Sequence, residues 1–134
     1  MKNLHVLVVA MPGTWQRVLQ KNLEAHPSVG RVEVVHGSLS AMHLAEENHP
    51  DLILIDSGIP TEETVALLNN IKSTNSGTRS VVLTYTSRQG RRITLAGADF
   101  TLPSYSFTAR IGDILNGLQA NHPHGLDSTT KVTS

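Results

Sequence analysis

The sequence contains no cysteine. That removes disulfide frameworks and zinc–thiolate sites together. Neither sign of charge dominates: 11 Lys and Arg stand against 11 Asp and Glu, for a formal net charge of zero. Neutrality argues against a whole-domain electrostatic grip on nucleic acid or an anionic membrane, and leaves local patches open. No apolar run approaches the length needed to span a bilayer. The first ten residues lack the basic start, long apolar middle and cleavage site of a secretory signal, so the expected location is cytoplasmic, with no membrane partner. No helix-turn-helix pattern follows the core, and direct reading of DNA by this chain is not expected. The first loop, Ala10 to Thr14, has one glycine and lacks the spacing of a phosphate cradle. Of seven histidines, five are scattered without ligand spacing, and His122 and His124, close together, lack further ligands beside them. Ser57 and Ser104 have no recognisable His–acid partners for a hydrolase triad.

What is present is an alternation. Leu4–Ala10 is an apolar, β-branched run ended by Pro12-Gly13. A helix follows from an N-cap at Thr14, with Trp15, Val18, Leu19 and Leu23 on one apolar stripe that predicts core burial for Trp15. Arg31–Val35 is a second strand. A second helix starts at Ser38 or Ser40, stripes Leu39, Met42 and Ala45, and stops at His49-Pro50. Leu52–Asp56 is a strand buried on both faces, turned by Ser57, Gly58 and Pro60. Thr61–Lys72 is a helix with Glu62 and Glu63 in its first turn, suited to the helix dipole. Ser80–Thr84 is a fourth strand and Arg88–Ala96 a helix weakened by Gly90. Phe100–Leu102 is a fifth strand, and Phe107–Ala120 a last helix. Residues 121–134 are polar and read as a flexible tail or linker after a domain of residues 1–120. Five strands separated by five helices predict an α/β fold, a doubly wound parallel sheet in strand order 2-1-3-4-5. Open sheets of this kind place ligands at the carboxyl ends of their strands, where the pattern delivers Asp56.

Five segments in register carry a family likeness: Leu7-Val8-Val9 before the first turn, His49-Pro50-Asp51 running into Leu52–Asp56, Ile59-Pro60, Val81–Thr84, and Ala96-Gly97-Ala98-Asp99. Over about residues 3–118 the chain resembles the CheY-like receiver domains of two-component response regulators. It is most similar to the branch with a helix-turn-helix effector, the NarL/LuxR type. The resemblance implies a flavodoxin-like (βα)5 fold and phosphoryl transfer from a kinase histidine to one aspartate, here Asp56. It makes Thr84 the switch hydroxyl and puts Thr101 at the position of the switch aromatic, with Phe100 shifted by one. On a strand, a shift of one residue reverses the facing side.

The family's cation-binding positions are altered. Its acidic pair falls on Ala10 and Met11, neither of which offers a side-chain oxygen to a hard cation. Its lysine falls on Ser104. Asp56 and the Gly58 carbonyl remain, a set expected to hold Mg²⁺ weakly or not at all. A positive group on a transferring phosphoryl is worth roughly 10³–10⁵ in rate. The chain is therefore read as a degenerate, pseudo-receiver type of domain, not an enzyme and without a resident cofactor. It is expected to work by protein–protein interaction with a histidine kinase, an effector domain or a second copy of itself. A working phospho-receiver with Asp56 as acceptor is the alternative. Arg88, Arg91 and Arg92 cluster on the fourth helix, part of the face receivers use for dimers and docking, and are the candidate partner face.

Overall fold

The computed structural model describes residues 3–74 and 77–120. The order is β1 (Leu4–Val9), α1 (Thr14–Glu24), β2 (Val29–Val35), α2 (Ser38–Asn48), β3 (Leu52–Ile55), α3 (Thr61–Thr74), β4 (Arg79–Thr84), α4 (Ser87–Leu95), β5 (Phe100–Pro103) and α5 (Phe107–Ala120). One 3₁₀ turn, Ser104–Ser106, precedes α5. Every strand pairing is parallel, in the order β2-β1-β3-β4-β5. This is the doubly wound α/β topology that the alternation predicts. The tail expected over 121–134, with His122 and His124, lies outside the described residues.

Period-two alternation sorts the apolar residues into two layers. Val6, Val8, Leu52, Leu54, Val81 and Leu83 pack with Leu19 and Leu23 of α1 and Ile111 and Leu115 of α5. Leu7, Val9, Ile53, Ile55 and Val82 pack with Ala41 and Ala45 of α2, Leu67 and Leu68 of α3, and Ile93 of α4. β3 lies between β1 and β4, and all four of its residues are fully buried. A strand covered on both sides must be apolar throughout, which is why its sequence is an unbroken Leu–Ile run.

Some boundaries and faces differ from the sequence expectations. Thr14 is the first residue of α1; Gly13 takes the cap position at φ 150°, and no side chain caps the helix. That positive φ favours glycine. Strand β2 begins at Val29, two residues before the expected Arg31. Leu39 is exposed, and the buried line on α2 is Ala41 and Ala45. Helix α4 is stabilised at its start by Thr86, whose hydroxyl accepts from Gln89 N at 3.1 Å.

Candidate functional site

Asp56 follows the last residue of β3. Its N–H donates to Val9 O at 2.9 Å, and its carbonyl accepts from Ile59 N at 3.2 Å. The first bond extends the β1–β3 ladder by one step; the second closes the turn. The aspartate is 7% exposed. A carboxylate so covered needs hydrogen-bond partners, and it has two. Trp15 Nε1 donates to Oδ1 at 2.9 Å, and Gly58 N donates to Oδ2 at 3.2 Å. Both donors are neutral. Among the described residues no Lys, Arg or His forms an ion pair with it.

Trp15 was expected in the core by its place on the α1 stripe, and the structure corrects this. Leu19 and Leu23 are fully buried, but Trp15, one turn earlier, is 37% exposed. The same stripe leaves the core there and brings the indole to Asp56. One ring contact ties the indole to α5: Phe107 meets it edge-on, centroids 6.2 Å apart and planes at 75°. That is a favourable aromatic geometry.

Ala10, Met11 and Ser104, to which the resemblance assigns the cation-binding positions, have unlike surroundings. Ala10 is buried in the layer of α1 and α5, and its carbonyl accepts a hydrogen bond from His36 Nδ1 at 2.9 Å. Met11 is 55% exposed. Ser104 is linked across the chain to Ser57, their hydroxyls 2.9 Å apart. Ser104 thus carries a neutral hydroxyl whose partner is the residue following Asp56. Mg²⁺ demands near-octahedral oxygen coordination. The side chains here offer one carboxylate, already engaged on both oxygens, so the residues present do not fit the ion. Among the described residues no cluster of three or more His, Asp or Glu is placed to hold a metal.

Thr84 is buried at the end of β4, and its hydroxyl donates to Leu102 O at 3.4 Å. Thr101 pairs in register with Val82, and its hydroxyl lies 3.5 Å from that of Thr94 on α4. Phe100 packs in the opposite layer, with α1 and α5. The one-residue shift therefore does reverse its face, and Phe100 does not stand in for the aromatic at Thr101.

On the α4 side, a groove of about 800 Å³ is lined by Thr84, Tyr85, Arg91, Leu95, Thr101 and Tyr105 among others. Tyr85, Leu95 and Tyr105 are highly exposed. The three arginines do not act alike. Arg92 is paired with Glu62 of α3, Arg91 lines the groove, and Arg88 has no ion pair among the described residues.

A second polar cluster lies away from Asp56. Glu33 on edge strand β2 accepts from His5 Nε2 at 2.7 Å, Asn48 Nδ2 at 2.9 Å and Arg31 at 3.1 Å. Burial works against its charge, but the bonds from Asn48 and His5 and the charges of Arg31 and His5 outweigh that. Its pKa is held below the ordinary value.

The partnerships of Asp56 with Trp15 and of Ser57 with Ser104 were not anticipated. They join residues 41 and 47 positions apart. The available signal was positional: a polar-capable ring in the first turn after β1 must overhang the same sheet end as the residue following β3.

No family model and no curated protein matches the sequence. Solved structures do. The receiver domain of a response regulator NarL from Mycobacterium tuberculosis superimposes with a TM-score of 0.78 at 18% identity, over 90% of this chain and 100% of that one. The response regulator domain of Thermotoga maritima CheB gives 0.73 at 19% identity, over 90% and 98%. The receiver domain of sensor histidine kinase PA1611 from Pseudomonas aeruginosa, solved with a magnesium ion coordinated in its active-site cleft, gives 0.73 at 24% identity, over 88% and 98%. With this strand order and these neighbours, the chain has the fold of the response regulator receiver domains.

Proposed function

We propose that this chain is a receiver-like signalling domain of the response regulator type that acts by protein–protein contact, with phosphoryl acceptance at Asp56 weak or absent. The observation that carries the reading is the set of partners around that carboxylate. Its oxygens are held by Trp15 and Gly58, while Ala10, Met11 and Ser104 occupy the positions where the family keeps two acids and a lysine. An incoming phosphoryl group brings negative charge to a negative carboxylate. Without cations on the transferring oxygens the barrier rises steeply. The domain is accordingly neither an enzyme nor the holder of a resident cofactor, and its place is the cytoplasm.

The contact surface in this reading is the groove between α4 and β5. Exposed tyrosines and an arginine are the residue types that dominate binding energy when covered. A kinase, an effector domain or a second copy of the chain are the partners the fold suggests; membrane and direct nucleic-acid binding find no support in a neutral chain.

The decisive assay is intact mass after incubation with Mg²⁺ and acetyl phosphate, for the wild type and Asp56→Ala. We expect no Asp56-dependent gain of a phosphoryl group. A gain that disappears in Asp56→Ala would instead establish the phospho-receiver reading, which the retained Asp56 and Thr84 favour.

A further inference from the structure

Trp15 is the chain's one tryptophan, and it sits against the Asp56 carboxylate. Its N–H donates to Asp56 Oδ1 at 2.9 Å. Its ring leans on Phe107, which is fully buried and opens α5. The indole therefore bridges α1, the turn after β3, and α5. With 37% of its surface exposed, it covers the carboxylate from outside and does not fill the core. The first turn that carries it has no side-chain cap, and exposed Met11 lies in the loop leading into it. Among the described residues, its side chain makes one hydrogen bond and one edge-on ring contact.

We infer that Trp15 is an internal lid on Asp56. The indole fills the approach to the carboxylate, and Asp56 becomes reachable only when the first turn of α1 carries the ring outward. This rests on reading the Asp56 pocket as a receiver pocket and adds its regulation: access is limited by the chain itself, in addition to the missing cations. Opening the lid also breaks the contact with Phe107, so the state of the pocket is felt at the start of α5. Hydrogen bonds to charged groups bias such an equilibrium by roughly 10- to 100-fold; a protein that engages the indole elsewhere needs a comparable advantage to hold the lid open.

Two readouts on the full chain test this without any phosphodonor, so their result stands apart from that of the mass assay. The first is acrylamide quenching of the single tryptophan. In Asp56→Ala the quenching constant should rise toward that of the unfolded chain and the emission should shift to the red, with the far-ultraviolet circular dichroism unchanged. If the alanine variant does not fold, Asp56→Asn, which keeps the shape but weakens the acceptor, should move both in the same direction. The second is the rate at which a water-soluble carbodiimide and an amine label Asp56, followed by peptide mass mapping. Trp15→Phe keeps a ring but loses the N–H, and should accelerate labelling by up to roughly 100-fold. Either readout unmoved in a folded variant overturns the lid.

Discussion

The two ends of the sheet's functional edge are built on opposite principles. Around Asp56 the polar groups are satisfied from within: indole and amide on the carboxylate, Ser57 on Ser104, His36 on the Ala10 carbonyl. At the α4–β5 groove the protein leaves surface uncovered: Tyr85, Leu95 and Tyr105 project, and Arg91 lines the groove without an ion pair among the described residues. A region that must bind or transfer charge keeps unsaturated groups; one that has closed on itself contributes to the fold. In the reading proposed above, the surface left for a partner is the groove.

That contrast breaks most sharply under paired substitutions. Phe107→Ala removes a fully buried ring against which Trp15 rests. It should cost about 3–5 kcal/mol, as large-to-small changes of aromatic core residues do. Leu95→Ala combined with Arg91→Glu, on the open side, should change stability by less than about 0.5 kcal/mol yet alter self-association. Urea midpoints and sedimentation velocity on both variants separate the two effects. An unstable groove variant would mean that the open side is a structural face, and unchanged sedimentation would remove a second copy of the chain from its proposed partners.

How much of this was legible from the chain varies with the range of the interaction. The unbroken run Leu52–Ile55 announces a central strand because a strand covered on both faces has no polar position. It places Asp56 at the strand end by simple counting. Helix α5 was bounded correctly because its apolar period is uninterrupted over Phe107–Ala120. Trp15 was misread because a stripe at helical spacing says which side of a helix is apolar, and not where the sheet beneath it ends. Leu39 failed for a related reason: alanines at positions 41 and 45 bring α2 down on the sheet along a neighbouring line. The Ser57–Ser104 pair joins β3 to the turn after β5 and exists only once the sheet is assembled.

A smaller effect should follow from reopening the closed side. Ala10→Asp with Met11→Asp introduces two acids in the loop after β1, where the resemblance expects an acidic pair. Ala10 is 1% exposed, so the new carboxyl enters a covered position without a cation, and like charges there repel. A loss of about 1–3 kcal/mol is expected, the range seen for uncompensated polar burial in proteins. It should appear as a lower melting temperature without Mg²⁺, recovered in part when Mg²⁺ completes an oxygen set. An unchanged melting temperature would show that the pocket is open and well solvated, and the contrast between the two regions would weaken.

The smallest predicted effect removes a confusion from that experiment. Acid unfolding of that double variant reports on Glu33 as well as on the two introduced acids. The partners of Glu33 hold its folded pKa below the ordinary carboxylate value. Its stabilising contribution is therefore complete above the unfolded pKa, near 4.5, and is lost as pH falls through the lower folded value. The pairing with Arg31 is partly exposed, so the contribution should be below about 1 kcal/mol. Glu33→Gln should flatten the acid limb of the stability–pH curve between those two values and lower the neutral plateau by that same small amount, while stability below both values stays nearly unchanged. Because Glu33 lies on edge strand β2, away from the indole, the variant should not alter acrylamide quenching of Trp15. If it does, the edge of the sheet and the covered carboxylate are coupled, and the acid response cannot be assigned to either region alone.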